Sequence, residues 1–395
     1  MITQLLPTYR RMPVSFVRGE GMYMFDENNN KYLDLYSGIG VNALGHAHPT
    51  LVGALKEQGD KIWHVSNLFE IPGQQRLAER LVSASFADTV FFTNSGAEAI
   101  ELCIKMVRKH FHDKGEKRHR MITMSNAFHG RTLAGIAAAG QPKLVEGFDP
   151  LPGGFDVVDF GDIAAVEAAI TPQTGAIMVE PVQGEGGIRP LNGNQMQALR
   201  DIADKNGLLL VFDEIQCGMG RTGKFFAHEW SDIKPDIVAS AKGIGGGFPI
   251  GAVLATENAA SGMTAGTHGT TYGGNPLAMA IGNAVMDEML ADGFMEHVQK
   301  TANYFQNKLE GLKAAFPDLI EEVRGKGLMV GLRCPSVEPR LAVPALLKHG
   351  IVVAPAGDSV VRMLPPLIME ESHVDEAIAA FTKAFTDWKE NGAPK

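Results

Sequence analysis

The run Leu208-Leu-Leu-Val-Phe-Asp213-Glu-Ile-Gln216 is a short apolar stretch closed by two carboxylates. An uninterrupted apolar run of this length, bounded by polar residues, reads as a strand buried on both faces, as in a parallel sheet. Further on, Ile237-Val-Ala-Ser-Ala-Lys242-Gly-Ile-Gly-Gly-Gly-Phe-Pro249 repeats the pattern, with a lysine at the strand end and a glycine-rich turn behind it. Similar runs at Thr89–Thr93, Met121–Met124, Ala176–Val179 and Ala252–Ala255 predict more buried strands. Between them, Ala97–Phe111 and Asn194–Asn206 carry apolar residues at three- and four-residue spacing with an Asn or Ser near the start, which predicts helices. Strand and helix in alternation predict an α/β fold with a central, mostly parallel sheet covered by helices.

The flanks have a different texture. Before about residue 60, turn-rich pieces such as Asp26-Glu-Asn-Asn-Asn30 stand beside a predicted strand pair. After Pro276 a helical stretch is predicted to about Phe316, followed by short strands at Leu328–Leu332 and Ile351–Ala354. A chain of 395 residues is long for one simple core. The expectation is a large domain over 61–275 and a smaller α/β domain assembled from both termini, 1–60 and 276–395.

Composition narrows the function classes. With 36 basic and 45 acidic residues the net charge is −9, which disfavours nucleic acid and anionic membrane surfaces as partners. The three cysteines are far apart and form no C-x-x-C pair, which suits a reducing compartment. No apolar leader and no membrane-length apolar run is seen, so a cytoplasmic location is expected. Glycine is in excess, at 45 of 395 residues against an average near 7%. Between Gly184 and Gly274 lie 18 of those 45, concentrated around the apolar runs quoted above.

Three groups carry chemistry. In Thr93-Asn-Ser-Gly-Ala-Glu-Ala a strand end turns into a helix whose free N–H groups could cradle a phosphate, although an ordinary N-cap would look the same. Asp213 places a carboxylate at the end of a very apolar strand, where it needs a cation. Lys242 lies before bare backbone against which a flat ligand could rest. An amine able to condense with an aldehyde, a carboxylate for a ring nitrogen and a phosphate cradle are together what pyridoxal phosphate requires. Gly218-Met-Gly-Arg-Thr-Gly-Lys224 imitates a nucleotide loop, but Phe225 stands where a P-loop needs Ser or Thr. It also does not open a helix straight off a strand, as a dinucleotide motif should. His46 and His48 lack further ligands at metal spacing, and no metal is expected.

From about Val17 to beyond Arg362 the sequence resembles the class-III aminotransferases, which are fold-type I pyridoxal-phosphate enzymes, and among them the acetylornithine aminotransferases. The motifs are Asn94-Ser-Gly-Ala-Glu98, Ala127-Phe-His-Gly-Arg-Thr132, Glu180-Pro-Val-Gln-Gly-Glu-Gly-Gly187, Asp213-Glu-Ile-Gln216, Ala241-Lys-Gly-Ile-Gly-Gly-Gly-Phe-Pro-Ile-Gly251 and His268-Gly-Thr-Thr-Tyr-Gly-Gly-Asn-Pro276. The resemblance implies that Lys242 carries the cofactor and shuttles a proton, and that Asp213 pairs with the pyridine nitrogen. Gln216 would lie near the phenolic oxygen, Phe128 and Ile215 on the two ring faces, and Ser95, Gly96 and Ala97 on the phosphate. Thr271, beside Thr270 in the substrate region, would reach the phosphate of a neighbouring subunit, which implies a homodimer. Arg131 and Arg362 would bind substrate carboxylates, with Glu185 masking Arg362 when the amino donor is bound.

The activity implied is transfer of the terminal amine of N2-acetyl-L-ornithine to 2-oxoglutarate, a step of arginine biosynthesis. Free ornithine is the nearest rival donor. Ornithine aminotransferases carry a Tyr where Ser37-Gly-Ile-Gly-Val-Asn-Ala-Leu-Gly-His46 has Ile39, and an apolar residue suits an acylated donor better. Succinyldiaminopimelate as donor, and an aminomutase on the same fold, stay open at this level.

Overall fold

The structure is a computed structural model and describes residues 4–394. Seven strands form the main sheet, in the order Thr89–Thr93, Gly251–Ala255, Ile237–Ser240, Leu209–Asp213, Thr174–Val179, Arg120–Met124 and Phe155–Val158. All are parallel except Gly251–Ala255, which is antiparallel to both neighbours. Every residue of Leu209–Asp213 is buried, as its unbroken apolar character requires. Alternate side chains face opposite cores: Leu210 and Phe212 pack with the helix Gly193–Asn206 on one side, Leu209 and Val211 with the helix Gly96–Asp113 on the other. Phe155–Val158, an edge strand of half-buried and exposed residues, was not among the predicted strands.

The flanking segments meet each other. Phe16–Glu20, Tyr23–Asp26 and Lys31–Asp34 form an antiparallel meander, and Lys31–Asp34 then pairs in parallel with Ile351–Val352, with Leu33 opposite Ile351. A second sheet contains Glu322–Lys326, Met329–Arg333, Val360–Met363 and Ala354–Ala356. The single helical stretch expected after Pro276 is two helices, Pro276–Met289 and Phe294–Ala315. Gly293, at φ +83°, makes the break between them.

The nucleotide-like loop has a structural use. Arg221 is 2% exposed and donates to the carbonyls of Leu328, at 3.2 Å, and of Pro365. Gly327 is pressed so closely to this loop that a Cβ would lie 2.3 Å from the Thr222 carbonyl carbon. The loop thus ties the main sheet region to the C-terminal segment.

Candidate active site

Parallel strands deliver their C-terminal ends to one edge of the sheet, which is where open α/β sheets bind ligands. Asp213 ends its strand 3% exposed, with Oδ2 2.7 Å from Nδ1 of the fully buried His129 and Oδ1 accepting from the Ile215 amide at 3.1 Å. Burial alone would lower the basicity of His129; the hydrogen bond and charge of Asp213, joined by the charge of Glu180, outweigh it and hold the ring above its ordinary value. Glu180 follows the adjacent strand directly and accepts from the amides of Phe128, at 2.9 Å, and Gly184, at 3.2 Å. Burial, reinforced by the charge of Asp213, pushes its pKa up to about 7. His129 and Glu180 both stand in motifs quoted above, yet sequence reasoning gave neither a role. The visible signal for Glu180 was a carboxylate directly behind the apolar run Ala176–Val179, the same pattern that singled out Asp213.

Lys242 comes two residues after the strand Ile237–Ser240 and adopts φ +52°, left-handed backbone that a lysine rarely takes. Its amine makes no hydrogen bond or ion pair among the described residues. Burial first, then the positive charge of Arg362, lowers its pKa to about 8 against the opposing pull of Glu185, Asp213 and Glu180. On the far side of the same cavity the helix Gly96–Asp113 begins, with the Ser95 hydroxyl accepting from the Glu98 amide at 3.3 Å. Gly96 must lack a side chain, because a Cβ there would sit 2.7 Å from Ile215 Cδ1.

Ser95, Gly96, Ala97, Phe128, Arg131, Asp213, Ile215, Gln216 and Lys242 all line one cavity of about 430 Å³. Arg131 makes no hydrogen bond or ion pair among the described residues; its guanidinium lies 5.5 Å from the Phe128 ring centre. Glu185 adjoins at a second cavity that shares Phe128 and Arg131, and its Oε1 accepts from Arg362 Nη1 at 2.5 Å. Thr270 and Thr271 are not in the Lys242 cavity. They line a separate one of about 690 Å³ with His64, Ser66 and Asn67, and Thr271 is exposed.

The Aminotransferase class-III family model matches residues 6–385. The chain belongs to this family. Among curated relatives, the acetylornithine aminotransferase of Rhodobacter capsulatus is 57% identical over 96% of both chains. Among solved structures, N-acetylornithine aminotransferase from Stenotrophomonas maltophilia aligns with TM-score 0.85 and 36% identity over 97% of this chain and 98% of that one. Ornithine aminotransferase from Toxoplasma gondii, described with partial occupancy of PLP at its active site, aligns with TM-score 0.93 and 28% identity over 97% and 92%. For a class-III aminotransferase, the cluster of free lysine, buried aspartate and open helix N-terminus is a coherent set. It places an amine, a carboxylate and a helix N-terminus around one cavity.

Proposed function

We propose that this class-III aminotransferase moves the terminal amino group of N2-acetyl-L-ornithine to 2-oxoglutarate, yielding N-acetyl-L-glutamate 5-semialdehyde and L-glutamate, with pyridoxal phosphate as cofactor. The observation that carries the reading is the unpartnered, pKa-lowered Lys242 amine sharing one cavity with Asp213 and the Ser95–Ala97 turn. The residues present fit the cofactor. Lys242 would hold its aldehyde carbon, Asp213 its ring nitrogen, Ser95 to Ala97 its phosphate, Phe128 and Ile215 its two faces, and Gln216 its phenolic oxygen. When bound, pyridoxal phosphate supplies an electron sink for the carbon that loses its proton.

The protein's own part is proton handling and orientation. Lys242, once freed by the incoming amine, is unprotonated often enough near neutral pH to take a proton and return it. Asp213 would present a carboxylate to the ring nitrogen, and the His129 hydrogen bond holds that carboxylate in place. Arg131 presents a free planar fork to the donor's carboxylate, while Glu185 neutralises Arg362 until a dicarboxylate displaces it. Ile39, half-buried at φ +68° and packed against the apolar cluster that contains Val182 and Ile188, supports the acetylated donor over free ornithine.

A homodimer belongs to the same reading, with Thr271 serving the neighbour's phosphate. Its support is the exposed apolar set Trp63, Leu68, Phe69 and Tyr272 around the loop that carries Thr271. So does the division into 61–275 and the paired terminal segments, supported by the Leu33–Ile351 pairing. None of the helices described is long and apolar enough to cross a membrane, which is compatible with the cytoplasmic location proposed.

Two measurements test the reading. The wild type should carry a visible absorbance band that borohydride fixes to Lys242, and Lys242→Ala should lose both the fixation and the amino transfer. Side-by-side assays should give acetylornithine the higher kcat/KM; a faster reaction with ornithine overturns the donor assignment. Absence of glutamate formation from 2-oxoglutarate would instead favour an aminomutase.

A further inference from the structure

Arg362 lies on the strand Val360–Met363 with its side chain 3% exposed. A guanidinium has five N–H donors. Nη1 donates to Glu185 Oε1 at 2.5 Å and to Gln216 Oε1 at 3.0 Å, Nη2 donates to the Pro355 carbonyl at 3.3 Å, and Nε is buried with no partner among the described residues. Two side chains therefore share one nitrogen, and they differ in kind. Glu185 is charged, 31% exposed and surrounded by Gly184, Gly186 and Gly187, the last at φ +109°. Gln216 is neutral and 8% exposed.

Gln216 is held from behind. A Cβ on Gly184 would sit 2.1 Å from Gln216 Oε1, so the amide occupies space that only glycine leaves free. The Gly184 amide is in turn bound by Glu180 Oε2 at 3.2 Å. We propose that Gln216 is a specificity-determining positioning residue for the dicarboxylate half-reaction: it keeps the Arg362 guanidinium aimed when Glu185 leaves. The inference rests on reading Arg362 as the clamp for the oxo-acid carboxylate.

An incoming carboxylate replaces Glu185 charge for charge and reaches the same nitrogen. It does not need to displace Gln216, because Nη1 carries two N–H donors, one for each acceptor. Without the amide oxygen, Glu185 is the only side-chain acceptor left to Arg362 among the described residues. The guanidinium then follows the glutamate rather than waiting for the ligand, and dicarboxylate binding suffers more than binding of the amino donor, which Arg131 holds.

Glutarate is the probe, since it has two carboxylates and no oxo group to react. Calorimetric titration of the holoenzyme should show glutarate binding weakened about tenfold in both Gln216→Leu and the near-isosteric Gln216→Met. In an Arg362→Met background the same changes should have no further effect. In steady-state assays the KM for the oxo-acid acceptor should rise in parallel, and by a larger factor than the KM for the amino donor. Unchanged or tighter glutarate binding in the Gln216 variants overturns the proposal, and so does an equal loss when Arg362 is already absent. Glutarate binding does not depend on which amine is donated, so failure of acetylornithine turnover would sink the function proposed above and leave this inference standing.

Discussion

Lys242 sits just beyond the end of its strand, its amine buried with no acceptor among the described residues, and burial lowers its pKa. A lysine in water titrates near 10.4. With the pKa lowered to about 8, only the neutral amine attacks an aldehyde, so capture of pyridoxal phosphate by cofactor-free protein should accelerate about tenfold per pH unit below 8 and level off above it. Stopped-flow absorbance measures this, and a rate still climbing at pH 10 would show that the amine is not perturbed. Lys242 and Asp213 were legible in the sequence because each ends an apolar run where a charged residue has no ordinary reason to be. His129 was not, since its partner lies 84 positions away and nothing local distinguishes it from a packing histidine. The Arg362–Gln216 bond, spanning 146 positions, was equally invisible.

At the level of elements, the antiparallel strand Gly251–Ala255 sets the height of the helix N-terminus that faces Lys242. Gly251 pairs with Thr93, and a Cβ on it would lie 2.6 Å from the Ser95 carbonyl oxygen and 2.3 Å from Thr93 Oγ1. Backbone on one side leaves little room to yield. Gly251→Ala is therefore expected to destabilise the protein by about 1–3 kcal/mol in denaturant unfolding, and to weaken cofactor retention on dialysis more than a remote substitution of equal cost. Retention matching wild type would separate this strand from the cradle. The predicted strands of the sheet interior match those observed to within a residue or two, because burial on both faces makes their apolar runs continuous. Phe155–Val158 was hidden by its edge position: Asp156, paired with Arg120, interrupts the apolar pattern that a central strand would show. The break at Gly293 was hidden because a lone glycine between two helical patterns also fits one longer helix.

Across the whole molecule, Trp63, Leu68, Phe69 and Tyr272 are 65%, 89%, 69% and 63% exposed, and Asn67 ties their two segments together by donating to the carbonyls of Thr270 and Gly273. If a second copy covers them and Thr271 completes the neighbour's site, two defective proteins should repair one another. Lys242→Ala and Thr271→Asp homodimers are expected to be nearly inactive, and unfolding then refolding them as an equimolar mixture should restore about a quarter of wild-type activity, since half the dimers are mixed and each holds one intact site. Activity no greater than the sum of the two parents would place Thr271 outside any shared site. The pairing of Leu33 with Ile351 also sets an order of assembly. A chain leaving the ribosome exposes Asp213 and Lys242 long before the strand that carries Arg362, and its first meander must wait for the 351st residue before gaining its fourth strand. Loop closure over such a span is slow. A ribosome stalled just short of that point would hold Asp213 and Lys242 without Arg362, so the Glu185–Arg362 pair closes only late in synthesis.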